Sequence, residues 1–139
     1  MKYYAQPHRF FRHLPTYPMI FLGVVPIMIL DLWVEMYHRV CFPFYSMKYV
    51  KRSAYIKIDR HQLKYLNPLQ KINCAYCGYA NGVVKYWTKI FAETEHYWCG
   101  IQHEKDDNFN IPEHHAEFIP YNDEQAFRLS YANDKTNKL

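Results

Sequence analysis

Hydrophobic and polar positions divide this chain into an apolar first third, a short alternating stretch and a long amphipathic run. No charged residue occurs from Tyr17 to Leu30, and after Asp31 the apolar run resumes through Leu32, Trp33 and Val34 until Glu35 closes it. That length lies at the lower edge of the roughly 20 residues needed to cross a hydrocarbon core about 30 Å thick. Pro18, Gly23 and Pro26 interrupt the run, so the expectation is an N-terminal membrane-inserting helix that is kinked or re-entrant. No small-x-small cleavage site follows it, and the segment is expected to stay attached. Basic residues flank it on both sides: Lys2, Arg9 and Arg12 before it, and the larger group of Arg39, Lys48, Lys51 and Arg52 after it. These flanks place the chain beyond the helix on the cytoplasmic side of a membrane.

Alternation over Ile56 to Ile58 predicts a short strand within 49–58. Asp59 is a candidate cap for a helical turn from Arg60 to Leu66, closed by Asn67-Pro68. Val83, Trp87, Ile90, Phe91, Thr94 and Trp98 recur at three- and four-residue steps. They predict a helix opening at Asn81-Gly82, with its apolar stripe bounded by Lys85, Lys89, Glu93 and Glu95. Pro112 to Phe118 predicts a short helix begun by proline, and Tyr121 to Phe127 one more turn. The expected fold is mainly α with a small β element. It comprises a membrane-associating segment at 1–45, a compact metal-stapled Cys/His domain at 46–125 and a frayed tail at 126–139.

Composition narrows this further. With 139 residues the chain holds one modest core, and half of it is apolar with 19% aromatic residues, which excludes a disordered class. A net charge of +4 from scattered basic residues does not form a nucleic-acid groove. A ring-rich surface suits a lipid bilayer, a protein partner or a second copy of the chain.

The sharpest chemistry lies between Cys74 and His103. Cys74 and Cys77 are separated by two residues and followed by Gly78, while Cys99 and His103 are separated by three. Three thiolates and one imidazole form the ligand set of a closed tetrahedral site, which predicts structural Zn2+ at Cys74, Cys77, Cys99 and His103, with iron as the alternative. This requires the pair to sit in a tight knuckle, with Gly78 at positive φ, and the chain to bring Cys99 back to it. His96 is a reserve ligand. Cys41 is expected to be simply buried, although it could be acylated or complete an all-thiolate site.

Other groups compete. Asp31, Glu35 and His38 share one helix face, and Glu35-x-x-His38 is repeated as Glu93-x-x-His96, a spacing that helix bundles use for di-iron centres. Adjacent His114 and His115, with Glu113 and Glu117, form a second possible cluster, read as a solvated surface because neighbouring histidines leave a helix on different faces. The leading functional reading is a small membrane-associated zinc protein acting as an accessory or interaction subunit. The alternatives are an electron-transfer or thiol-redox protein, and an interfacial enzyme working through Asp31, Glu35 and His38, with Glu93 and His96.

Residues 73–82, Asn-Cys-Ala-Tyr-Cys-Gly-Tyr-Ala-Asn-Gly, and 94–99, Thr-Glu-His-Tyr-Trp-Cys, with His103, resemble strings in small, functionally uncharacterised bacterial proteins that carry an apolar N-terminal segment. The resemblance implies that the two strings belong to one site, and it implies no activity.

Overall fold

The computed structural model describes residues 8–136, and among them the secondary structure is helical with no strand. Helix α1 spans Arg9–His13, α2 Thr16–Leu22 and α3 Val24–Phe44. The chain does not turn back around Gly23 to Pro26, although Gly23 separates α2 from α3. Gly23 keeps right-handed helical torsions (φ −62°, ψ −19°) between α2 and α3. Pro18 and Pro26 both fall in the first turn of a helix, where the missing N–H had no intrahelical partner to lose. The result is one apolar helix over Thr16–Phe44, 29 residues and long and apolar enough to cross a membrane; only 11% of its most apolar window is buried, unlike a core helix.

Helix α4 runs without interruption over Pro68–Trp98. Asn67-Pro68, read from sequence as a terminator, starts it. The Asn67 side-chain oxygen accepts the Gln70 N–H at 2.8 Å, and the Gln70 side-chain oxygen accepts the Asn67 N–H at 2.9 Å. This reciprocal capping box, with Pro68 at the first helical position, satisfies otherwise orphaned N–H groups. Cys74, Cys77, Gly78 and Gly82 therefore all lie inside a helix, and no knuckle forms. Gly78 serves close approach instead. A Cβ there would stand 3.0 Å from the Lys57 carbonyl oxygen, and one at Gly82 would stand 2.8 Å from the Tyr55 carbonyl oxygen. The predicted strand at 49–58 is consequently an irregular segment with a 3-10 turn at Arg52–Ala54, seated backbone-first on the glycine face of α4. It has no neighbouring strand to pair with among the described residues.

The chain divides into two compact units, Met1–Lys89 and Ile90–Leu139. The boundary expected at 45/46 falls inside the first unit, where Val34 and Phe42 of α3 and Val83, Tyr86 and Trp87 of α4 are buried together with polar Asp31 and His38. In the second unit, Gly100 ends α4 in the left-handed conformation (φ +50°) that glycine alone adopts without strain. A single parallel bridge pairs Ile101 with Ile119. The Gln102 side-chain amide donates to the His115 carbonyl at 2.9 Å, which holds a 3-10 helix, Glu113–Glu117, against this bridge. Helix α5, Glu124–Thr136, replaces most of the frayed tail expected from 126, and the Asp123 carboxylate accepts the Ala126 N–H at its start.

Candidate metal centre

Two polar clusters emerge, one in each unit. In the first, Asp31, Glu35 and His38 share a face of α3 as expected and meet groups from α4 and the 49–52 loop. Arg52 grips Asp31 with both terminal nitrogens, Nη1 at 2.7 Å from Oδ1 and Nη2 on Oδ2. Tyr79 donates to the same carboxylate at 2.8 Å and Trp87 Nε1 at 3.3 Å. Glu35 accepts from Arg39 Nε at 2.7 Å and from the Tyr86 hydroxyl at 2.8 Å. The Val50 N–H donates to His38 Nε2 at 3.1 Å, so the neutral ring carries its proton on Nδ1 and donates it to the Tyr86 oxygen at 2.9 Å. Every nitrogen of His38 and both carboxylates are thus engaged by protein, leaving no free donor atom to grip a metal or a substrate. The arrangement is an internal clamp joining α3, α4 and the loop between them.

The clamp has a measurable signature. Burial first, and then the bond to Asp31, push the Tyr79 phenol up to about 12 from 10.0. Burial and the bond to Glu35 raise Tyr86 as well, and the bond to Asp31 raises Arg52. Because the folded-state value of Tyr79 lies above its unfolded one, the stabilisation is complete below about pH 10 and disappears as pH rises through about 12. Urea unfolding across that window should show a steeper stability loss for the wild type than for Tyr79→Phe, and equal slopes would contradict the assignment.

The thiols do not assemble as expected. Cys74 and Cys77 lie three residues apart within α4, and Cys99 follows its last residue. The reversal of chain direction needed between the pair and Cys99 is absent, because residues 74–98 are one continuous helix. Among the described residues, no cysteine belongs to a group of three or more His, Cys, Asp or Glu close enough to share an ion. Nor does either Glu-x-x-His pair, Glu35 with His38 or Glu93 with His96. Cys74 and Cys77 also sit within the body of a helix rather than at its N-terminus, where the backbone would favour a reactive thiolate. Cys41, expected to be buried, is partly exposed.

A different group does converge. Glu95, His103 and His115 each offer one ligand atom, and these atoms all lie within 4.8 Å of one another. Ligands around a tetrahedral metal are about 3.3 Å apart, given bonds of about 2.0–2.2 Å, so small side-chain rotations close the set. Glu95 comes from the last turn of α4, His103 from the loop beyond Gly100, and His115 from the 3-10 helix. His115 is 1% exposed. Its Nε2 lies 3.2 Å from Glu95 Oε1, while Nδ1 is buried with no hydrogen-bond partner. A buried ring nitrogen without a partner inside the polypeptide is uncommon. His114 Nε2 meets the other carboxylate oxygen, Oε2, at 2.9 Å, and this bond foremost holds the Glu95 carboxyl below its usual range.

The chain matches no protein-family model, no curated protein and no solved structure. The centre therefore rests on its geometry. Of the four sequence-predicted ligands, only His103 belongs to it. By spacing alone Glu95 reads as the polar border of a stripe and His115 as solvated. An α-helix would turn His114 and His115 to different faces, whereas a 3-10 turn lets both rings face one carboxylate, each taking its own oxygen. The isolated Pro112 before a His-His pair was the available signal.

Proposed function

We propose that this chain is a small membrane-associated metal-binding protein, an accessory or interaction subunit whose cation is held by Glu95, His103 and His115. The observation that carries the reading is the meeting of three ligand atoms around a histidine that is almost wholly buried and has a ring nitrogen unused by protein. Two imidazoles and a carboxylate suit Zn2+, and iron(II) accepts the same donors. His114 supports Glu95 from outside the ligand set, as groups behind a metal ligand commonly do. The apolar helix Thr16–Phe44 supports membrane association, and the basic residues after it support a cytoplasmic position for the metal unit.

Elemental analysis of detergent-purified protein tests this, with cobalt(II) replacing the native ion as a spectroscopic probe. The expected result is one bound ion per chain, lost in His115→Ala and weakened at least about tenfold in His114→Ala. Cys74→Ser/Cys77→Ser should retain it. A strong thiolate-to-cobalt charge-transfer band, abolished by Cys74→Ser/Cys77→Ser, would restore the thiolate site and overturn this assignment. Circular dichroism of each variant separates ion loss from unfolding.

A further inference from the structure

Asp31, Val34, His38 and Phe42 share one side of α3, and all four are buried. Leu22, Val25, Ile29, Leu32, Met36 and Val40 follow at three- and four-residue steps on the opposite side, all exposed. At about 100° per residue they form a single stripe, which helical torsions at Gly23 carry unbroken from α2 into α3. Trp33 and Phe44 extend it, the latter 83% exposed. The stripe continues past Arg39, whose side chain is 68% exposed. A helix that left hydrocarbon at that charge would strand Val40 and Phe44 in water.

The buried side points the same way. Within the first unit, α4 accompanies the apolar helix along much of its length: the Tyr76 ring lies 6.0 Å from that of Phe21, Tyr79 bonds Asp31, and Tyr86 bonds Glu35 and His38. Over this stretch α4 carries Asn81 and Lys85. The segment seated on Gly78 and Gly82 adds Lys57, paired with Asp59 at 3.5 Å. If the apolar helix crossed a bilayer, these polar groups would enter hydrocarbon with it, where charged side chains are costly.

We infer that residues 16–44 lie along the membrane surface, with the apolar stripe sunk into the headgroup–acyl boundary and α4 riding above it in water. This rests on the membrane association proposed above and specifies its mode. Lys48 and Lys51, just past the helix, are exposed and add positive charge next to an anionic membrane surface.

The test floats full-length protein with sealed phosphatidylcholine vesicles, with and without phosphatidylglycerol, and maps both chain ends in inverted membrane vesicles from expressing cells. Ile29→Lys and Val40→Lys should each lower the floated fraction severalfold and to a similar degree. Thr88→Lys, on the exposed side of α4, should not. Phosphatidylglycerol should raise binding, and protease-cleavable tags at the two ends should be cut from the same face. If Val40→Lys is silent while Ile29→Lys is severe, or the tags lie on opposite faces, the helix crosses: membrane association stands and the surface pose fails. If nothing floats and the protein runs as a dimer that Ile29→Lys dissociates, membrane association itself fails and a second copy covers the stripe.

Discussion

Asp31→Ala should destabilise the first unit by about 3 kcal/mol, the low end of the cost of removing one partner from a buried ion pair, because Arg52 keeps some exposure. The substitution removes the acceptor for four hydrogen bonds at once, leaves the Tyr79 hydroxyl and the Trp87 N–H without it, and leaves Arg52 only the more distant Glu35 carboxylate at 3.7 Å. Asp31→Asn should lose less, since its amide oxygen still accepts. Converting both partners in Asp31→Leu/Arg52→Leu should recover much of the stability, because no uncompensated charge remains. Urea denaturation in detergent reads all three, and a change below about 0.5 kcal/mol for Asp31→Ala would show that the clamp contributes nothing net.

Gly82→Ala should also destabilise the fold, against the ordinary preference of a helix interior. Alanine gains about 1 kcal/mol over glycine in an open helix. Here its Cβ would stand 2.8 Å from the Tyr55 carbonyl oxygen and 2.9 Å from Ile56 Cα, both backbone atoms that cannot swing aside. Overpacking of this kind typically costs about 1–3 kcal/mol, which offsets or exceeds the propensity gain. Gly78→Ala, with a single contact at 3.0 Å, should be milder. Thermal midpoints in the order wild type, Gly78→Ala, Gly82→Ala support close seating of the loop on α4, and a more stable Gly82→Ala removes it.

These two glycines also separate local from distant information. Gly78 stood out in the sequence, but for the wrong reason: a metal knuckle explained it locally, whereas the structure explains it by a backbone passing over a helix from residues 55–57. The shared face of Asp31, Glu35 and His38 was legible because helical spacing is a local property. Their partners Arg52, Tyr79 and Tyr86 were not, since a hydrogen bond across 21 to 51 residues leaves no trace in spacing. The same limit hid Glu95 and His115, which are 20 residues apart. The cysteine pattern misled because Cys-x-x-Cys fits a knuckle or two successive positions on one helix face equally well. The capping box at Asn67 and Gln70 selects the helix.

By itself the sequence determined a helical, aromatic-rich chain with one long apolar segment and an amphipathic run ending at Trp98. Each of these comes from side-chain periodicity or backbone preference within a few residues. The tertiary structure alone decided that α4 begins at Pro68, that the polar face of α3 is satisfied by protein, and that Glu95 and His115, rather than the thiols, come close to His103. Those outcomes depend on which distant groups can fill one another's hydrogen-bonding and packing needs, and that competition is settled only when the whole chain is folded.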